Sequence, residues 1–148
     1  MVLTDTHTHL YLEEFSEDLN EVVNRAFAKK VTRLFLPSIC HKHFKLMLNL
    51  KNKYPNNIFL MSGLHPCYVN ENYEFELDHV KLFIDKNDIV AVGEIGIDLH
   101  WKKDNLDLQI NIFKKQIDIA NEYNLPVVIH CRESLNEVLK VLKNKKVN

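Results

Sequence analysis

Two histidines stand two positions apart near the start of the chain, in the stretch DTHTHL at residues 5–10. Successive side chains of a β-strand point to opposite faces, so His7 and His9 would share one face and present both imidazoles to one metal ion. Asp5 lies on the same face, where it would either orient a ligand histidine or make a structural hydrogen bond within the strand. The HxH pattern also fits one buried and one exposed histidine without metal, so its interpretation depends on further ligands.

Further candidate ligands lie at the ends of other apolar segments of the chain. Glu94 lies in AVGEIG and His130 ends LPVVIH, so a carboxylate and a further imidazole are available to a divalent ion. The sequence therefore predicts one metal site formed by His7, His9, Glu94 and His130.

Strand-like and helix-like segments alternate along the whole chain. Alternating or wholly apolar segments predict strands at 2–9, 31–37, 57–66, 88–96 and 125–130, the third of which ends in a turn. Apolar residues at helical spacing predict helices at 17–30, 43–54, 74–86, 106–123 and 134–144. Strand–helix units with apolar strands imply parallel pairing through helical crossovers, in a doubly wound sheet or in a (β/α)8 barrel.

The positions of the chemically capable residues favour the barrel. They all close predicted strands, and in a barrel the carboxyl ends of the strands meet on one face around a single pocket. The three glycines lie in the same segments, where a missing side chain lets backbone or ligand approach closely. We therefore predict an α/β fold of the TIM (β/α)8 barrel type, with about five β/α units over residues 1–148.

The composition is that of one globular domain, with 46% hydrophobic and 26% charged residues. A net charge of −1 gives no global attraction to nucleic acid or membrane, so an anionic partner must be held by a local site. The three cysteines form no CxxC motif, and no apolar stretch reaches the length of a membrane span. These features predict a cytoplasmic protein with no membrane partner.

The motifs, taken in order, resemble those of the TatD-like metal-dependent deoxyribonucleases, a branch of the amidohydrolase superfamily. The resemblance runs from residue 2 to about residue 140. Its segments are DTHTHL, GLHP, AVGEIGID, a helix carrying Gln109, Phe113, Gln116 and Ala120, and LPVVIHCRES.

The resemblance implies a TIM (β/α)8 barrel of the metal-dependent hydrolase type, here truncated to about five β/α units in a single incomplete domain over residues 1–148. It also implies a metal centre with two divalent ions, Mg²⁺, Mn²⁺ or Zn²⁺. In that family the first-strand histidines bind one ion, the fourth-strand glutamate bridges both ions, and the fifth-strand histidine binds the second. These roles fall on His7 and His9, on Glu94 as the catalytic bridging carboxylate, and on His130.

The resemblance also implies residues around the substrate. It places His65 and Arg132 beside the substrate phosphate, and it matches Asp98 to a GxD motif. Asp98 would support the site from its edge, or it would be a solvent-facing loop carboxylate or helix cap. Trp101 would stack on a nucleobase or pack as a loop anchor.

The implied activity is hydrolysis of DNA phosphodiester bonds, with DNA as the partner. Two alternatives stay open: another hydrolase of the superfamily, acting on an amide or lactone, and a non-catalytic metal-binding half-barrel subunit or remnant. The family's barrel needs roughly 250 residues, and no residue here can be assigned its sixth-strand histidine or eighth-strand aspartate. We therefore expect a second polypeptide carrying the missing strands, or self-association, and little hydrolysis by this chain alone.

Overall fold

The computed structural model describes residues 1–147 as strands that alternate with helices. The strands are β1 (Leu3–Asp5), β2 (Val31–Leu36), β3 (Ile58–Ser62), β4 (Ile89–Asp98) and β5 (Val127–Arg132). The helices are α1 (Leu19–Ala28), α2 (Phe44–Lys53), α3 (Tyr73–Lys86), α4 (Leu106–Glu122) and α5 (Leu135–Asn144). Single 3-10 turns follow the first three strands, at Glu13–Phe15, His41–His43 and Pro66–Tyr68. Within these residues no helix is both long and apolar enough to cross a membrane.

The strands form one parallel sheet in the order β1-β2-β3-β4-β5. This order decides between the two predicted architectures, because a doubly wound sheet reverses its strand order at a switch point whereas a barrel adds each strand beside the last. The chain is thus a half-barrel of five β/α units, and the predicted fold class is confirmed.

The first strand is shorter than predicted. β1 ends at Asp5, and residues 6–9 continue beside β2 through a single hydrogen bond from the Thr8 N–H to the Phe35 carbonyl oxygen, 3.0 Å long. His7 and His9 therefore lie beyond the regular strand. Their imidazoles still point the same way, because the two Nε2 atoms are 3.2 Å apart.

The core lies between β4 and the helices. Every residue of β4 except Val90 is buried, and on α4 the side chains of Ile112, Phe113 and Ile117 are fully buried. β5 has one strand neighbour and no buried residue. β4 is therefore buried between its strand neighbours and the helices, whereas β5 lies at the edge of the sheet.

Glycines let the strands beneath the site approach closely, as predicted. Gly96 has φ +145°, and a Cβ at this position would overlap the carbonyl oxygen of His130 on β5. A Cβ on Gly63 would lie 2.8 Å from the carbonyl carbon of Gly93. Side chains at these positions would separate the strands whose ends carry the site residues.

Two buried glutamines of α4 bind the backbone where β3 and β4 end. Gln116 Oε1 accepts from the Leu64 N–H (2.7 Å), and its Nε2 donates to the Leu64 carbonyl oxygen (3.0 Å). Gln109 pairs in the same way with the N–H (2.8 Å) and the carbonyl oxygen (3.2 Å) of Asp98. Each amide satisfies a donor and an acceptor that would otherwise be buried without partners, so α4 fixes the positions of the adjacent site residues.

Candidate metal centre

Glu94 lies at the centre of a group of imidazoles at the carboxyl ends of the strands. It is 6% exposed, and its two carboxylate oxygens face different histidines. Oε2 lies 3.1 Å from His7 Nε2 and 3.5 Å from His9 Nε2, while Oε1 lies 2.9 Å from His130 Nδ1. The structure therefore brings together the four residues that the sequence analysis selected as metal ligands.

The first group of donors has the spacing of ligands around one ion. His7 Nε2, His9 Nε2 and Glu94 Oε2 are separated by 3.2, 3.1 and 3.5 Å. Ligand atoms about 2.1 Å from a tetrahedrally coordinated ion lie about 3.4 Å from one another. The three atoms thus fit one face of a metal coordination tetrahedron.

The second group lies on the other side of the Glu94 carboxylate. His130 Nδ1 faces Glu94 Oε1, and its other nitrogen, Nε2, lies 2.8 Å from Asp98 Oδ2. When the Nε2–H group donates a hydrogen bond to this carboxylate, the neutral ring has its lone pair on Nδ1, directed at the centre. His130 and Glu94 therefore offer two donors to a second ion.

His65 reaches the same group, and its hydrogen bonding indicates a different role. Its Nε2 lies 3.1 Å from His130 Nδ1 and 3.9 Å from Glu94 Oε2. Its Nδ1 accepts the Cys67 N–H at 3.1 Å, so the proton of a neutral ring is on Nε2. Burial lowers the pKa of His65 to about 4, which keeps the ring neutral near pH 7. His65 thus presents an N–H donor to the centre, where a metal ligand would need a lone pair.

Asp98 is fully buried, which excludes a solvent-facing carboxylate. Oδ2 faces His130, and Oδ1 accepts the backbone N–H groups of His100 (2.9 Å) and Trp101 (2.6 Å). One carboxylate therefore orients a candidate ligand and also holds the loop after β4. This arrangement makes Asp98 the hydrogen-bond partner of His130.

The hydrogen bonds of the centre keep Glu94 ionised. Burial by itself would raise the pKa of Glu94, but imidazoles of His130 and His9 that carry a proton towards the carboxylate donate hydrogen bonds to it, and these outweigh burial and hold the pKa well below its ordinary value. A bound cation would take the place of these protons and leave lone pairs on the same nitrogens. The hydrogen bond to Glu94 in turn raises the pKa of His130. A buried carboxylate surrounded by imidazoles is a donor set suited to a divalent cation.

Two other predicted site residues lie outside this cluster of contacts. Asp5 Oδ1 accepts the backbone N–H of His7 (3.1 Å), which is the structural hydrogen bond that the sequence left open, and it does not orient an imidazole. Arg132 is exposed, and its guanidinium carbon lies 5.4 Å from the ring centre of Trp101. Trp101 is itself 68% exposed, so it does not pack as an anchor. Arg132 and Trp101 form the rim of the site.

Two residues that support the site were not selected from the sequence. The buried Tyr11 hydroxyl lies 2.8 Å from His9 Nδ1, and burial raises the pKa of that hydroxyl above its ordinary value. Ser38 is fully buried beyond β2, and its carbonyl oxygen accepts the Glu94 N–H at 3.2 Å. The sequence could have indicated Tyr11, because this residue continues the two-residue spacing of His7 and His9. Ser38 carried no comparable signal.

Imidazoles around a central carboxylate, at the carboxyl ends of parallel barrel strands, form a donor set suited to divalent metal ions. The sequence model of the family described as TatD related DNase matches residues 4–148. The chain belongs to the TatD family.

Relatives support this assignment in sequence and in structure. The chain is 35% identical over 144 residues to the Bacillus subtilis protein named "Uncharacterized metal-dependent hydrolase YabD", a match that covers 97% of this chain and 56% of the relative. The crystal structure of the TatD homologue YjjV from Escherichia coli superposes with a TM-score of 0.87 at 28% identity, over 96% of this chain and 55% of that one. A TatD family hydrolase from Entamoeba histolytica gives the same TM-score at 26% identity, over 97% and 54%. The chain thus spans about half the length of the proteins it matches.

Proposed function

We propose that this chain carries the first part of a two-metal site that hydrolyses phosphodiester bonds of DNA. The observation that carries the proposal is the position of Glu94, whose Oε2 faces His7 and His9 while Oε1 faces His130. A carboxylate so placed can bridge two ions a few ångströms apart, which is the arrangement of two-metal phosphodiesterases. The description TatD related DNase of the matching family supports DNA as the substrate.

The residues of this chain would hold the two ions and orient the phosphate. Bound divalent ions supply an activated water and neutralise charge on the phosphate oxygens. The His65 Nε2–H points into the same space and can donate a hydrogen bond to a phosphate oxygen. Arg132 can reach the phosphate from the rim, where a guanidinium makes bidentate contacts to such groups.

The rim also favours a nucleic acid as substrate. The exposed Trp101 indole lies beside Arg132 on a loop that Asp98 holds through the Trp101 N–H. An indole held in this way can stack on a nucleobase, an interaction that contributes about 1–3 kcal/mol per base. An amide or lactone substrate offers neither an anionic phosphate for Arg132 nor a base for Trp101.

The first prediction is metal-dependent cleavage of DNA. The longest polypeptide that contains this sequence should degrade an end-labelled oligonucleotide in the presence of Mn²⁺ or Mg²⁺, and a chelator should stop the reaction because the activating ion is lost. The same preparation should be assayed with a panel of lactones and amides. Turnover of those substrates without cleavage of DNA would favour the alternative hydrolase, and binding of metal without any turnover would favour a non-catalytic half-barrel.

A second prediction concerns Arg132. Replacing Arg132 by alanine should lower kcat/KM for DNA about 10- to 100-fold, because hydrogen bonds to charged groups contribute about 1.5–3 kcal/mol. Metal content should stay unchanged, since the guanidinium contacts none of the candidate ligands. The exposed Arg33 on β2 provides the matched control, and Arg33→Ala should leave both quantities unaltered. Equal rates for Arg132→Ala and the parent would remove Arg132 from the substrate site.

A further inference from the structure

Tyr11 joins the segment that follows β1 to the end of β2 through its hydroxyl group. The side chain is buried, at 5% exposure, and the hydroxyl oxygen has two partners. It donates to the carbonyl oxygen of Pro37 at 2.7 Å and lies 2.8 Å from His9 Nδ1. The ring of His43 packs on the Tyr11 ring, with 5.5 Å between their centres.

These two contacts determine where the proton of His9 lies. A tyrosine hydroxyl has one proton, and a carbonyl oxygen can only accept, so this proton is directed at Pro37. The hydroxyl oxygen must then accept from His9, which requires an N–H at Nδ1. A neutral His9 in this tautomer has its lone pair on Nε2, the nitrogen that lies 3.5 Å from Glu94 Oε2 and 3.2 Å from His7 Nε2.

We propose that Tyr11 is a positioning residue that holds His9 in the tautomer able to bind a divalent metal ion through Nε2. The inference rests on the proposed metal site and adds to it a residue that touches neither metal nor substrate. Ligand histidines commonly donate their second N–H to a carboxylate or a carbonyl oxygen, which fixes ring and tautomer. Here a tyrosine hydroxyl provides that acceptor, and its own proton is held by Pro37.

Asp5 does not position the His9 imidazole in this arrangement. Asp5 accepts the backbone N–H of His7 and therefore orders the chain before the ligands. Tyr11 instead contacts an imidazole directly, and its aromatic ring is part of the core. Removing only the hydroxyl oxygen therefore separates the positioning role from the packing role.

The test is Tyr11→Phe, which keeps the ring and removes the acceptor. Affinity for Zn²⁺ and Mn²⁺ should be measured by competition with a chromophoric chelator, and the His9 tautomer of the metal-free protein by ¹⁵N NMR, with the signal assigned from a His9→Asn variant. The parent should show His9 protonated at Nδ1. Tyr11→Phe should show a mixture of tautomers and a metal affinity about 10- to 100-fold lower, the range found when the partners of ligands are lost.

Tyr123→Phe is the matched control, because its hydroxyl donates to the exposed Asp85 at 2.7 Å, away from the site. This variant should bind metal like the parent. If folded Tyr11→Phe keeps both the parent's tautomer and its metal affinity, the inference is wrong. In the longest polypeptide that contains this sequence, metal binding without cleavage of DNA would contradict the proposed function alone, whereas failure to bind either Zn²⁺ or Mn²⁺ would contradict both.

Discussion

Replacing Glu94 by glutamine should abolish binding of divalent metal in both parts of the site and reduce DNA hydrolysis to the level measured in chelator. Both carboxylate oxygens face candidate ligands, Oε2 towards His7 and Oε1 towards His130. An amide is neutral, and its NH2 group must point at one of these two sides, where it can donate a hydrogen bond but cannot bind a cation.

The expected loss of metal affinity is larger than for a residue that only positions a metal ligand. Removing a partner of a ligand weakens metal binding about 10- to 100-fold, so losing a charged ligand shared by two ions should weaken it by more than about 100-fold. Metal content by mass spectrometry and titration with Mn²⁺ would measure this directly. Glu94→Asp keeps the charge on a shorter side chain and should retain part of the binding.

Glu76→Gln is the matched control for Glu94→Gln. Glu76 is also a buried glutamate paired with a histidine, since its Oε1 lies 2.7 Å from His41 Nδ1, but it belongs to neither candidate ligand group. This variant should keep its metal even if it is less stable. Unchanged metal stoichiometry and affinity in Glu94→Gln, with the control behaving as expected, would show that Glu94 is not a metal ligand.

The sequence predicted the elements and the central ligands well because both depend on local patterns. Each strand and helix of the structure lies at or within about two residues of its predicted segment, except β1, and the segment predicted for β3 included the turn that follows it. β1 is shorter because beyond Asp5 the chain keeps only one hydrogen bond to β2, a feature that alternation of residue types does not record. β3 ends at Ser62, and the predicted turn follows directly, with the Gly63 N–H bound to Ser38 Oγ and the Leu64 N–H to Gln116 Oε1.

Contacts between distant elements were the part that the sequence did not predict. The resemblance selected Gln116, but its pairing with the Leu64 backbone joins residues 52 positions apart. Ser38 holds Glu94 through backbone atoms, which carry no residue-specific signal. The tautomer of His65 likewise depends on a single N–H from Cys67, and only three-dimensional geometry shows it.

The open edges of the half-barrel are the basis of the second prediction with a large expected effect, which concerns self-association. β1 and β5 each have one strand neighbour in the described sheet, and β5 has no buried residue although β4 beside it is almost entirely buried. Parallel strands normally have both faces covered, and open edges pair readily with other chains. An open sheet of this kind therefore needs further strands paired with its two edges.

The last helix points to the same conclusion. α5 packs against β4 and β5, and its residues Val138 and Val141 are buried. Leu135 and Leu139 are four residues apart and therefore lie on one face of the helix, where they are 62% and 44% exposed. The B. subtilis relative has about four-fifths as much chain again outside the matched part, since the match covers 56% of its length. We propose that the strands and helices of that other half, on the same or on a second polypeptide, cover these surfaces.

The 148-residue chain purified alone should therefore self-associate, because the surfaces that the other half would cover remain open to further copies. It should hydrolyse DNA weakly, because none of its residues can be assigned the family's eighth-strand aspartate. Light scattering coupled to size-exclusion chromatography measures the association, and the oligonucleotide assay measures the activity. Leu139→Lys should reduce association, because it places a charge on the apolar face of α5. Leu82→Lys on α3 is the control at nearly equal exposure, 46% against 44%, and should not change it. A monodisperse monomer with full activity would contradict the proposal, because it would mean that this half-barrel needs no further strands.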